Sequence, residues 1–384
     1  MKSFSYTDEQ MCRIVYALIT EEVNWRYGRH LDFHSIAEHG YDTSLADGGL
    51  LLSDEQIKTS LQRSYWFFGH DIDNVDHTIR AKYTVRNIAS FLASKIRSKL
   101  TTFNFLPAGS ESLQDGCVHF ASDIYIDACA LTQLIYGRQR IVSYVSPHSL
   151  MGFIITILVA NLEGIESVDF RAMTPETISN SLLYGDAIVA TPTQWRYLVS
   201  EGVTAPDNAM AVTFGEVLPT DLAMEMRKAG FGAHRELYGT TENGLIGWRD
   251  SSREPFVLFD FWRRDKEDLL RRKSNGEWLP NKPMDILEFD STEKFSLAGR
   301  RDGAVQVGAI NVFPKKVAEI VKQHHSVADC NIEIIGSGTE GRKVVAQINL
   351  SSNNQPSEKI ARDIDGWCRI HLRPFERPRI YNFV

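Results

Sequence analysis

The sequence predicts an α/β protein built as a large α/β domain with a small α+β carboxyl-terminal domain and a helical amino-terminal region. Three observations carry that expectation. Residues 1–100 read as helical, in the order helix, long connection, helix, helix. From about Phe103, short β-rich runs alternate with helical stretches, the pattern of a sheet with helices on its faces. Past Arg300 the pattern changes to a compact α+β unit. The expected divisions are 1–102, 103–299 and 300–384.

From Asp8 to Trp25, the apolar residues Met11, Ile14, Val15, Leu18, Ile19 and Val23 fall on one helical face. A second helix begins at Ser53, where Ser53 and Gln56 make a capping box and Ile57, Leu61 and Tyr65 continue the buried side. A third spans about Thr84 to Leu100, with Val85, Ile88, Leu92 and Ile96 inward. Gly49-Leu-Leu-Leu-Ser-Asp54 faintly resembles the phosphopantetheine attachment site of acyl carrier proteins. The Ser-Asp order is reversed here, and an ordinary N-cap accounts for Ser53.

In the middle of the chain, Ile141–Val145, Ala187–Thr191, Ala209–Phe214 and Asp285–Phe289 read as strands, with helices around Ser149–Leu162 and Thr220–Ala229. Ligands of such sheets gather beyond the carboxyl ends of strands. Thr191-Pro-Thr193, Thr213-Phe-Gly215 and Tyr238–Glu242 all stand there. Asp250–Asn281 reads as charged and irregular, and Arg263–Asp268 as a solvated surface. In the last unit, Val317–Gln323 reads as a helix, and Asn331–Ile335 and Lys343–Leu350 as strands. Ser357–Leu372 reads as an amphipathic helix with Ile360, Ile364, Trp367 and Cys368 on one side.

Composition narrows the function classes. A 384-residue chain with 24% charged and 43% apolar residues is ordinary for a soluble globular protein, and a net charge of -7 gives no reason to expect nucleic acid. The amino terminus has no signal-peptide apolar core, and the longest apolar run, Phe153–Leu162, is too short to span a bilayer. The five cysteines lack metal-site spacing and read as reduced thiols, so the expected location is cytoplasmic.

Two stretches carry chemistry. Tyr238-Gly-Thr-Thr-Glu242 offers a flat ring for a purine, and Gly239 permits close backbone approach. Thr240 and Thr241 can donate to oxyanions, and Glu242 can hold Mg²⁺ beside phosphates. A loop whose Thr and Asn side chains cap backbone is the plain alternative. Downstream lies Gly299-Arg-Arg-Asp-Gly-Ala-Val-Gln-Val-Gly308, with Pro314 beyond it.

Together, in this order and spacing, the two stretches resemble the adenylate-forming superfamily of acyl- and aryl-CoA synthetases, peptide-synthetase adenylation domains and luciferases. The resemblance covers roughly residues 103–384. With Leu372–Arg379, it is nearest to short aryl-acid ligases, a group that includes the coumarate ligase serving photoactive yellow protein. It implies that fold, and it implies activation of an aryl or unsaturated acid with ATP, through an acyl-adenylate, for transfer to CoA or to the phosphopantetheine of an acyl carrier protein.

Residue by residue, the resemblance puts Tyr238 beside adenine, Thr241 at the α-phosphate and Glu242 on Mg²⁺. Asp285 and Arg300 contact the ribose, Asp302 is the hinge of the small domain, and Gly215 lines both nucleotide and acyl pockets. His148, in Ser146-Pro-His-Ser-Leu-Met-Gly-Phe153, stands near the acyl carboxylate, although the related position is Ser149; a polar helix start also explains this histidine. His148, Met151, Phe153, Trp195 and Gly244 are the expected acyl-pocket residues and suggest a flat apolar substrate, with plain core as the alternative reading of the same residues.

The phosphate loop departs from the family pattern. In Pro107–Asp115 only Gly109 and Ser110 match it, and Glu111 and Asp115 replace a threonine and a lysine. Each carboxylate facing a triphosphate at about 4 Å costs on the order of a few kcal/mol. The family's carboxyl-terminal Pro-x-x-x-x-Gly-Lys motif is also expected to be missing, since Lys359 is the last lysine of this sequence. These departures keep a second expectation open: a non-catalytic relative acting as a binding or scaffold partner in a biosynthetic complex.

Overall fold

A computed structural model describes residues 6–70, 83–107, 110, 112–266, 268–307, 310–336, 341–352 and 354–384. The nine-stranded central sheet runs, edge to edge, through Asp285–Phe289, Lys294–Arg300, Phe256–Leu258, Gly244–Arg249, Ala233–Thr240, Met210–Thr213, Asp186–Ala190, Arg140–Ser143 and Glu166–Asp169. The five strands from Ala233–Thr240 to Glu166–Asp169 pair in parallel, and the remainder pair antiparallel. The fold is thus the expected α/β one.

The parallel strands are covered on both faces, as βαβ crossovers require. Every residue of Asp186–Ala190 and Met210–Thr213 is buried. Alternation divides them between two cores. Ala187, Val189, Met210 and Val212 join the larger core, while Ile188, Ala190 and Ala211 join the smaller one with Trp195, Leu222 and Phe231. The long helices Asp8–Tyr27, Asp54–Phe67 and Val85–Lys99 start at Thr7, Ser53 and Thr84 caps. Met11, Ile14, Leu61 and Leu92 from these helices enter the larger core, so the amino-terminal helices share it with the central sheet.

The carboxyl-terminal unit has its own core, built on the sheet Val327–Ile335, Lys343–Leu350 and Ile380–Phe383 with helices Pro314–Lys322 and Glu358–His371. Its last strand lies parallel to Lys343–Leu350. The expected helix and strand pattern after Arg300 is therefore present, with the first strand longer at its start.

The segment 250–281 corrects the sequence reading. It is not irregular: Trp262–Asp265, Asp268–Arg272 and Trp278–Asn281 form a three-stranded antiparallel sheet. Its residues Trp262, Leu269 and Arg271 are buried, as is the preceding Phe261, while Arg263 to Lys266 remain exposed as expected. Charge misled here because Arg271 finds its partner 144 residues away. Among the described residues no helix is long and apolar enough to cross a membrane.

Candidate active site

The carboxyl ends of the parallel strands open into a groove of about 560 Å³. Thr191 and Gln194 come from the start of helix Pro192–Ser200, and Phe214–Val217 from the loop after Met210–Thr213. Tyr238–Thr240 end the next strand, Thr241 and Glu242 follow in its turn, and Asp285, Gly299, Arg300, Asn311 and Arg342 close the far wall.

A hydrogen-bonded chain crosses that wall. The Tyr238 hydroxyl donates to Asp285 Oδ2 at 2.6 Å, and Arg300 Nη1 lies 3.5 Å from Asp285 Oδ1. Arg300 Nε and Nη2 fork onto the Asp302 carboxylate at 3.0 and 2.7 Å. Burial, the larger effect, raises the Asp285 pKa, while the Tyr238 hydroxyl and Arg300 pull it back. Burial and the neighbouring Asp285 push the Tyr238 phenol well above its ordinary range, so it remains a donor. The Tyr238 ring sits edge-on to Phe295 at 5.5 Å and tilted to Phe256 at 5.7 Å.

The turn after Tyr238 is built tightly from below. A Cβ on Gly239 would lie 2.5 Å from the Gly244 carbonyl oxygen, at the point where the strand register shifts. Gly244 adopts φ 83°, and a Cβ there would lie 2.6 Å from Asp127 Oδ2. Gly244 is therefore a buried turn residue, and it does not line the groove as expected from the sequence. Thr240 Oγ1 accepts from the Asn243 amide at 3.2 Å, as in the plain capping reading. His119 Nε2 lies 2.7 Å from the Thr241 carbonyl oxygen. Burial lowers the pKa of that imidazole, which favours the neutral form that donates here.

Beneath the turn, Asp127 and Arg271 form a buried ion pair at 2.7 Å. Asp127 Oδ2 accepts from the Leu245 amide at 3.1 Å, and Arg271 Nη1 donates to the Asn243 carbonyl at 2.9 Å. The Trp262 indole donates to the Leu245 carbonyl at 2.6 Å. Sequence reasoning missed this support. Its one visible signal was an acidic residue inside the apolar helix Ala121–Leu134. Across the groove, the buried Glu236 binds Arg249 at 2.7 Å and accepts from the Leu218 amide at 2.9 Å, fixing the loop that carries Gly215.

Not every expected pocket residue reaches the groove. Met151 lines it. Phe153 is fully buried, with ring centroids 4.7 Å from Phe103 and 5.5 Å from Phe67. Trp195 is fully buried against Phe231 at 4.7 Å. Both are core aromatics, because the helices carrying them turn those positions inward. His148 faces a neighbouring cavity and not the acyl side of the groove. Ser149 caps the helix, accepting from the Gly152 amide at 3.2 Å. Gly109 lies outside the described residues. Ser110 donates its amide to the Pro107 carbonyl at 3.0 Å and is not part of the groove wall.

The donor set suits an adenylate better than a bare triphosphate. Asn311 Oδ1 is buried on the groove wall without a hydrogen-bond partner among the described residues, an acceptor that an amino group of a bound base can satisfy. Asp285 faces the same space as a carboxylate for a diol. Four carboxylates line the groove (Glu216, Glu236, Glu242 and Asp285) against two guanidiniums, Arg300 and Arg342. A polyphosphate there needs its own cation. Among the described residues no cluster of three or more His, Cys, Asp or Glu side chains is set to hold a metal. Glu242 is exposed and single, the arrangement in which Mg²⁺ is shared with phosphates.

No protein-family model matches the chain. It is 26% identical over 315 residues to a 4-coumarate–CoA ligase of Halorhodospira halophila, covering 81% of this chain and 79% of that protein. It is 32% identical over 187 residues to a 4-coumarate–CoA ligase of Rhodobacter capsulatus, covering 49% and 47%. Its fold is similar to an amide bond synthetase from Marinactinospora thermotolerans, with TM-score 0.57, 15% identity and coverage of 82% and 69%. It is also similar to o-succinylbenzoate CoA synthetase from Bacillus subtilis, with TM-score 0.56, 18% identity and coverage of 70% and 62%. The chain thus spans about two thirds of the length of these solved structures.

Proposed function

Because the chain belongs to the adenylate-forming superfamily, we propose that it activates a small aryl or unsaturated carboxylic acid as its acyl-adenylate and passes the acyl group to a thiol. The observation that carries this reading is the Tyr238–Asp285–Arg300 chain lying beside Thr241 and Glu242 in one groove.

In this reading Tyr238 flanks the adenine, and Asp285 and Arg300 hold the ribose hydroxyls. Thr241 donates to the α-phosphate, and Glu242 holds Mg²⁺, which supplies charge neutralisation during carboxylate attack. Gly215 and Met151 bound the acyl side. Asp302, held by Arg300, is the point about which the unit 300–384 reorients. The acid's oxygen attacks the α-phosphorus, pyrophosphate departs, and the mixed anhydride is left for CoA or a carrier-bound phosphopantetheine.

The test is calorimetry of the protein with ATP·Mg²⁺ and with AMP, followed by pyrophosphate release against a panel of aryl acids. Acid-dependent release that is abolished in Glu242→Ala supports the ligase. A second reading, a non-catalytic relative that binds a partner, is favoured by Asp115. It is exposed on a short turn at the family's phosphate-loop lysine position, with no ion-pair partner among the described residues. That reading predicts no pyrophosphate release with any acid, in the wild type or in Asp115→Lys.

A further inference from the structure

A hydroxyl, an imidazole and a carboxylate stand in series where the groove meets the neighbouring cavity. Ser146 lines both spaces. Its Oγ lies 2.6 Å from His148 Nδ1, and His148 Nε2 lies 3.0 Å from Glu21 Oε1. Glu21 Oε2 accepts from the buried Arg63 at 2.9 Å. Arg63 in turn lies over the Trp66 ring at 4.9 Å, so the carboxylate is anchored from behind.

The order of partners fixes the protonation pattern. A carboxylate at Nε2 holds the proton on that nitrogen, which leaves the Nδ1 lone pair facing the serine hydroxyl. Burial would raise the pKa of Glu21, but its hydrogen bonds to His148 and Arg63 and the Arg63 charge pull it down, so the carboxylate stays ionised. None of the three groups is needed to hold the nucleotide described above. Two of them, His148 and Glu21, face only the cavity of about 660 Å³, which opens the imidazole to solvent.

We propose that Ser146, through His148 and Glu21, accepts the proton of the thiol that attacks the acyl-adenylate. The proposal rests on the reading that an acyl-adenylate occupies the groove. In the step, the thiol sulfur bonds to the acyl carbonyl carbon, and the bond from that carbon to the phosphate oxygen breaks. AMP leaves with that electron pair. The S–H proton passes to Ser146 Oγ as the Ser146 hydroxyl proton passes to His148 Nδ1, and Glu21 balances the imidazolium. The proton then leaves to water in the cavity. Ser146 is the group that touches the reactants; His148 and Glu21 act through it. The amino-terminal helices thereby contribute to the chemistry, since Glu21 lies on Asp8–Tyr27 and Arg63 on Asp54–Phe67.

The experiment supplies synthetic cinnamoyl-adenylate and CoA to the full chain and follows thioester formation, so that it does not depend on ATP being activated. Wild type is expected to accelerate transfer. Ser146→Ala and His148→Gln should each lower the transfer kcat by about 10²-fold or more, with the loss in turnover and not in adenylate affinity. Ser146→Thr should retain most of the rate, and added imidazole should restore part of it to His148→Ala. Glu21→Gln leaves Arg63 without its counter-charge, so the Ser146 variants carry the test if it folds poorly. Transfer at the wild-type rate in Ser146→Ala overturns the proposal, as does a loss confined to adenylate affinity or no acceleration by the wild type. Transfer from the supplied adenylate without pyrophosphate release from ATP keeps the relay and removes the ATP-activation reading.

Discussion

The hydroxyl of Tyr238 donates to Asp285 at 2.6 Å across 47 residues of sequence, joining the turn Tyr238–Glu242 to the strand Asp285–Phe289, whose first residue pairs with Arg300. Two motifs that are separate in sequence are one hydrogen-bonded unit in space. Tyr238→Phe keeps the contacts with Phe256 and Phe295 and removes only this bond. It should lower stability by about 1 kcal/mol in urea unfolding. It should also weaken AMP binding several-fold in calorimetry, because Asp285 then loses its orienting donor. Unchanged AMP affinity would show that the hydroxyl does not order the ribose site.

The Asp127–Arg271 pair sets the turn from beneath. Arg271→Met strands a buried carboxylate and takes away the donor to the Asn243 carbonyl. The expected loss is roughly 3–5 kcal/mol, read as a lowered denaturation midpoint. The double variant Asp127→Leu/Arg271→Met should recover part of it, since neither charge is then left buried alone.

Stability should depend on pH through Asp127. Burial, opposed by Arg271 and the Leu245 amide, pushes its pKa up to about 6, against roughly 3.9 in an unfolded chain. The folded state then holds a proton that the unfolded state has released. The stability this contributes is complete below about pH 4 and is lost as pH rises through about 6. Denaturation midpoints of wild type minus Asp127→Asn should therefore fall between those pH values. A difference that rises instead would mean that Arg271 dominates and the carboxylate is ionised throughout.

Gly244→Ala places a methyl 2.6 Å from Asp127 Oδ2 and 2.9 Å from Arg271 Nη1, in a backbone conformation that L residues rarely adopt. Strain of about 1–3 kcal/mol is expected from the backbone alone, plus the displaced ion pair. Thermal unfolding should show the loss, and AMP affinity should fall with it because the Thr241–Glu242 turn moves.

Phe153 and Met151 separate core from groove. Phe153→Ala removes a fully buried ring from the aromatic cluster and should cost about 3–5 kcal/mol without changing which acid is bound. Met151→Ala should shift acid preference, measured as relative affinity across a panel of aryl acids, at a smaller cost in stability. The reverse pattern would return Phe153 to the acyl pocket.

The sequence by itself determined the local parts. The capping box at Ser53 and the apolar spacing of Asp8–Trp25 are interactions within a few residues, so the order of residues states them directly. The run Tyr238–Glu242 also placed itself at a strand end, where α/β sheets gather ligands, because that rule depends only on strand direction. Tertiary structure alone decided which chemistry-bearing side chains meet. Arg271 lies in a segment that reads as charged and irregular, and the fold sets it beside Asp127. Trp195 and Phe153 suit either a pocket wall or a core by residue type, and their helices turn them into the core. His148 reads either as a neighbour of the acyl carboxylate or as part of a polar helix start, and the fold gives it Ser146 and a glutamate from the first helix as partners. A desolvated charge is stable only against a partner, and that partner is chosen by packing between distant segments, which local pattern and propensity do not encode.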